Sequence, residues 1–153
     1  MDSVEDLLLA AISLAASARN HGNHPFGALL VGENGAILLK AENTVITSSD
    51  ATGHAELNLV RMASAQFTRE QLERSVLYTS TEPCPMCSGA IFWSGIGHVV
   101  YALSEERLYA MTGDSPECLK LSCRDVFARG GRQVLVTGPL LEDKAALVHE
   151  GFW

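Results

Sequence analysis

His54-Ala55-Glu56 and, about thirty residues later, Pro83-Cys84-Pro85-Met86-Cys87 offer one imidazole, two thiols and a spare carboxylate to a single metal ion. Three protein ligands with one position left open for water make a hydrolytic zinc site, whereas a structural zinc site closes with a fourth ligand. If this site were closed, the fourth ligand would have to come from Cys118, Cys123 or His98. A C-x-x-C on its own serves redox chemistry or structural zinc equally well, and an isolated H-x-E is an ordinary surface or capping pair. The two together, with proline before the first cysteine, point to catalysis. Cys84 and Cys87 are three apart, so on a helix they sit about 60° apart on one face and can grip one ion. A metal and the positive end of a helix both favour the thiolate, and Pro85 falls in a first turn where its missing N–H costs little. His54 and Glu56 stand about 200° apart on an ideal helix and can converge only at its tip. There His54 would ligate and Glu56 would swing over the water, whose pKa zinc lowers from about 15.7 to about 7. Glu56 is the carboxylate near enough in sequence to move that water's protons.

Elements that could hold such a site alternate along the chain. Val4 to Asn20 reads as a helix with Ser3 and Asp6 as its cap, ending in the breaker-rich His21-Gly22-Asn23-His24-Pro25. Its apolar stretch from Leu7 to Ala18 is flanked by Asp2, Glu5 and Asp6 where a secretion signal would be basic, and it is too short to span a bilayer. We therefore expect a core-facing helix of a cytoplasmic protein. Gly27–Val31 and Ala36–Ala41 read as strands joined at Asn34-Gly35, a hairpin signal. The loop Thr44–Thr52 leads to His54 and a helix over Leu57–Gln66. Strand Ser75–Ser80, helix Cys84–Ser94 and strand His98–Ala102 follow. A short helix over Ser104–Met111, a loop over Gly113–Leu121 and another short helix over Ser122–Arg129 come next, before strand Gln133–Thr137 and a last helix over Leu141–Glu150. A hairpin followed by alternating strands and helices predicts a three-layer α/β domain, here one domain over residues 1–153.

The formal charge of −7, from 11 basic and 18 acidic residues, opposes a phosphate backbone. The densest basic group, Arg124, Arg129 and Arg132, is modest, so a nucleic-acid partner is not expected, nor is a membrane. Four cysteines are too few for a disulfide scaffold.

At its H-x-E and P-C-x-x-C residues the chain resembles the cytidine-deaminase-like superfamily, whose base deaminases carry this signature. Within it, the chain is similar to the branch of guanine deaminases, tRNA adenosine deaminases and fungal-type cytosine deaminases. The resemblance runs from His24-Pro25-Phe26-Gly27-Ala28 through Asn43 and both motifs to Gly89-Ala90-Ile91. It implies an α/β/α fold on a central five-stranded mixed sheet, one zinc ion per subunit, and a homodimer. It also implies His54, Cys84 and Cys87 as zinc ligands and Glu56 as proton shuttle, zinc-bound hydroxide attacking an amidine carbon. Asn43 would hydrogen-bond the base, Phe26 would wall the ring, and the Ala55 N–H and the Glu82 carbonyl would meet the substrate through the backbone. Phe26, the Cys-Pro-Met-Cys run and Trp93 look most like guanine deaminases, which makes guanine to xanthine the first expectation. Adenosine in tRNA and cytosine or a nucleoside are the alternatives. Asp114 falls near the acidic base-reading position of guanine-acting members. Trp93 is core or pocket wall, and Phe152 and Trp153 either close over a flat base or simply pack.

Overall fold

The structure, a computed structural model, describes every residue from Met1 to Trp153. Ser3 Oγ accepts from the Asp6 N–H at 3.1 Å while the Asp6 carboxylate accepts from the Ser3 N–H at 3.1 Å. This reciprocal cap starts helix α1, Val4–Asn20. Leu7, Leu8, Ala11, Ile12, Ala15 and Ala18 recur at helical spacing and are buried against the sheet, as expected of a core-facing helix. No helix is long and apolar enough to cross a membrane.

Strands β1 (Gly27–Val31) and β2 (Ile37–Glu42) form the predicted antiparallel hairpin. Gly35 takes φ +84° in the connecting turn, and Asn34 Oδ1 accepts from the Ala36 N–H. Helix α2 (Ala55–Gln66) leads through α3 (Arg69–Glu73) to β3 (Val76–Thr81), and α4 (Pro85–Ser94) connects β3 to β4 (His98–Leu103). Helices α5 (Glu105–Thr112) and α6 (Cys123–Ala128), strand β5 (Leu135–Thr137) and helix α7 (Glu142–Leu147) complete the chain. The strand order is β2-β1-β3-β4-β5, with β1 antiparallel to β2 and β3, and β3, β4 and β5 parallel. This is the mixed five-stranded sheet that the resemblance implies.

Every residue of β1 is buried, because the sheet is covered on both faces. Ala28 and Leu30 point into a core shared with α2, α4 and α6, through residues such as Leu59, Ile91 and Phe127. Leu29 and Val31 point into a second core with α1, α5 and α7, through Leu8, Leu108 and Ala145. Gly27 opens β1 where α1 crosses it; a Cβ there would lie 2.5 Å from the Ala15 nitrogen and 2.6 Å from the Ala11 oxygen.

Two departures from the predicted elements have physical causes. Thr68 and Gln71 form a second reciprocal cap, which starts a helix, α3, where none was predicted. The last helix ends at Leu147 instead of Glu150, and turns carry the chain from there to Trp153. Arg19 Nη1 donates to the Val148 and Glu150 carbonyls, and Gly151 at φ +70° swings the chain out of the helix path.

Candidate active site

The start of β1, the carboxyl end of β3, and the first residues of α2 and α4 gather at one end of the sheet. Crevices of α/β folds open at such an end. His54 is the N-cap of α2 and makes no side-chain cap bond, so its ring is free to turn toward α4. Cys84 is the N-cap of α4, Pro85 follows it, and Cys87 sits one turn in. The His54 Nδ1 lies 3.5 Å from Cys84 Sγ and 3.6 Å from Cys87 Sγ. All three donor atoms lie within 4.8 Å of one another. Around a tetrahedral zinc, bonds of about 2.1 Å to nitrogen and 2.3 Å to sulfur set those atoms about 3.6 Å apart. The donor set therefore fits zinc in both chemistry and spacing.

No fourth donor joins the three. His98 Nε2 is engaged with Thr137 Oγ1 at 2.9 Å, Cys123 is fully buried, and the Cys118 thiol donates to the Gly113 carbonyl. The site is open on one side, as hydrolytic chemistry requires. Hydrogen bonding from the Cys87 thiol, then from His54 and the Cys87 N–H, makes Cys84 the more acidic thiol of the pair. The same thiol pairing, with burial, pushes Cys87 up. The hydrogen bond to Cys84 raises His54.

Glu56 is only 6% exposed, and burial followed by the Cys84 charge pushes its carboxyl up to about 7. It lies beside His54 on the floor of a cavity of about 600 Å³. Phe26 and Trp153 wall that cavity, their ring centroids 6.2 Å apart. Thr81 and Glu82 contribute from the end of β3, Glu105 and Tyr109 from α5, and Ser115, Glu117 and Cys118 from the loop beyond it. Glu82 is also a brace: its carboxylate accepts from the Glu105 and Cys123 N–H groups, each at 3.0 Å, and so fixes the starts of α5 and α6.

Of the residues expected at the substrate, Phe26, Glu82 and Trp153 line the cavity together with Glu56 and two of the metal donors. Ala55 opens α2, where its N–H has no helical acceptor within reach. Asn43 lies behind Phe26, its N–H donating to the Phe26 carbonyl at 3.1 Å. Its Oδ1 accepts from the Val45 N–H and its Nδ2 makes no hydrogen bond to protein, but the residue is buried and is not among those that line this cavity. Phe152 does not line the cavity; it stands edge-on behind Trp153 at 4.8 Å.

Trp93 and Asp114 lie elsewhere. Cys87 and Ile91, four apart, set the buried face of α4, and Trp93, two residues on, turns away and is 77% exposed. It is neither core nor cavity wall in this subunit. Asp114 is exposed and paired with Lys120 at 2.8 Å, so the nearby carboxylate that does line the cavity is Glu117. His24, read from sequence as a loop residue, lines the cavity two residues before Phe26, with its ring 5.4 Å from Trp153. Its place just before a buried strand was the available signal. Burial, then the nearby His54, lowers its pKa.

The family model for the cytidine and deoxycytidylate deaminase zinc-binding region matches residues 1–103. The chain is 45% identical over 148 residues to a probable cytosine deaminase of Schizosaccharomyces pombe, covering 95% of this chain and 90% of that protein. It is 46% identical over 99 residues to a guanine deaminase of Bacillus subtilis, covering 64% of this chain and 63% of that one. The structure of a guanine deaminase from Nitrosomonas europaea superposes with a TM-score of 0.79, at 26% identity, over 98% of this chain and 85% of that one.

Proposed function

This chain belongs to the cytidine and deoxycytidylate deaminase family, and on that footing we propose that it hydrolyses the exocyclic amine from a free nucleobase, guanine first. The observation that carries the proposal is the buried Glu56 beside an open, zinc-fitting donor set, on the floor of a cavity walled by flat rings. Zinc held by His54, Cys84 and Cys87 supplies the electrostatic activation that lets water attack at neutral pH. Glu56 takes a proton from the attacking water and passes it to the ring nitrogen. A second transfer through the same carboxylate leaves the amine to depart as ammonia and a carbonyl in its place. By the family resemblance the unpaired Asn43 Nδ2 reaches the base from behind the lining residues, and the Ala55 N–H and Glu82 carbonyl meet it through the backbone. Phe26 and Trp153, inclined at 54° with centroids 6.2 Å apart, form a corner of the cavity against which one face of the ring packs.

Guanine stands first on the likeness in fold to a guanine deaminase over 98% of the chain; a tRNA:A34 deaminase superposes over 93% of it, which keeps adenosine in tRNA among the readings that the base panel must separate. Cytosine is the second reading, because a probable cytosine deaminase is 45% identical to this chain over 148 residues. A match of 99 residues cannot contain both Phe26 and Trp153, the two cavity walls. We propose in addition a homodimer; the exposed Trp93 supports it, and sedimentation tests it.

Ammonia release from zinc-loaded protein, measured across guanine, cytosine, adenine and their nucleosides, tests the reaction and ranks the bases. Glu56→Gln should retain zinc and lose roughly two to four orders of magnitude in turnover. A fully zinc-loaded protein inert on every base, or an active Glu56→Gln, refutes the proposal.

A further inference from the structure

We propose that Arg19 is a positioning residue for the cavity. Acting through the turn at residues 148–153, it fixes the Trp153 indole as the wall against which a flat heterocycle is held. The chain of contacts is continuous. Arg19, in the last turn of α1, donates through Nη1 to the Val148 carbonyl at 3.0 Å and the Glu150 carbonyl at 2.6 Å. Carbonyls at the end of a helix such as α7 have no partner of their own, so the guanidinium stands in for the missing turn. Its carbon also lies 5.5 Å from the centre of the Phe152 ring. Phe152 stands edge-on to Trp153, and the Trp153 Nε1–H donates to His149 Nδ1 at 3.0 Å, the two rings lying within 14° of parallel. His149 in turn packs edge-on against Phe26, 5.3 Å away, which ties this segment to the adjoining wall.

Trp153 remains 53% exposed, so burial alone would hold it loosely. The anchors at Arg19 and His149 place it. Arg19 itself neither lines the cavity nor belongs to the metal donors. Its effect on substrate must pass through the indole. The expected ligand, a flat neutral heterocycle, rests on the function proposed above; the anchoring of Trp153 does not.

The test uses zinc-loaded protein carrying Trp93→Phe, which leaves Trp153 as the sole indole. Arg19→Ala should shift Trp153 emission to the red and raise its quenching by acrylamide, with zinc content unchanged. Stacking of this kind is worth a roughly ten- to hundredfold change in affinity, so KM for the base should rise by that factor while kcat holds within about threefold. Trp153→Ala should raise KM similarly, and combining the two substitutions should add little, because both remove one wall. Arg19→Gln, which keeps a single donor, serves if Arg19→Ala does not fold. Unmoved Trp153 fluorescence, or KM effects that multiply in the double variant, would overturn the inference. A parent protein inert on all bases whose Trp153 still responds to Arg19→Ala would sink the deaminase proposal and leave the anchoring intact.

Discussion

Acidification should unlock the segment that carries Trp153, because a second proton on His149 must take the nitrogen that accepts from the indole. Its Nδ1 accepts from the Trp153 indole, so the neutral ring keeps its proton on Nε2, and that N–H is buried without a partner. The residue is 2% exposed, and burial, followed by the Arg19 charge, lowers its pKa from 6.5 to about 4. The unfolded chain therefore takes up a proton near pH 6.5 and the folded chain only near pH 4. Between those values the unfolded state binds more protons, so stability falls as pH falls. The full loss is roughly 3 kcal/mol, about 2 kcal/mol of it spent by pH 5. Urea denaturation of the zinc-loaded protein at pH 7.5, 6 and 5 measures it, with His149→Gln as the reference. Glutamine can still accept from the indole but does not titrate, and any release of zinc with pH is common to both proteins. We expect the wild type to lose about 2 kcal/mol relative to the variant between pH 7.5 and 5. Parallel curves for the two proteins would show that His149 is not held neutral, and would refute the reasoning.

Gly27→Ala should destabilise by roughly 3 kcal/mol or prevent folding, because the added methyl would overlap the α1 backbone; thermal unfolding reports it. Glu82→Gln, nearly isosteric, turns an amide N–H toward one of the two backbone donors and should cost about 2 kcal/mol in urea denaturation. Stripping zinc with a chelator should abolish ammonia release and lower the Tm, and zinc, unlike magnesium, should restore both.

The chemistry was the most legible part of this chain, because a metal site leaves its donors in short motifs. The H-x-E and C-x-x-C runs each begin a helix, and a helix start lets residues two or three apart converge, so local spacing paired His54 with Glu56 and Cys84 with Cys87, while the packing of α2 against α4 brought the two pairs together. The strands were legible for a similar reason: runs such as Leu29-Leu30-Val31 and Val99-Val100 carry β-branched and apolar side chains buried on both faces. Helix α3 was missed although its Thr68 and Gln71 carried the capping signal, since five residues show too little periodicity to stand out. The cavity walls were the least legible. They come from five separate stretches of the chain, so no spacing rule connects residues such as His24, Tyr109, Glu117 and Trp153. Asp114 and Glu117 are three apart in one irregular loop, and only the course of the chain decides which carboxylate faces inward. Trp93 was misplaced because a tryptophan on an apolar helix suggests burial, yet its angular distance from Ile91 points it outward.

The meeting of two helix starts at one point has an electrical consequence. Two thiolates and the Glu56 carboxylate bring three negative charges to the centre, and a divalent zinc cancels two. The amino ends of α2 and α4 each contribute about half a positive charge. Zinc and the helix ends thus offset the charges at the centre itself, while Glu82, Glu105 and Glu117 line the same cavity without a lysine or arginine among them, so the pocket around the centre stays acidic. An uncharged ring can enter and leave such a centre without carrying a counter-ion, whereas a phosphorylated one would bring charge that nothing there balances.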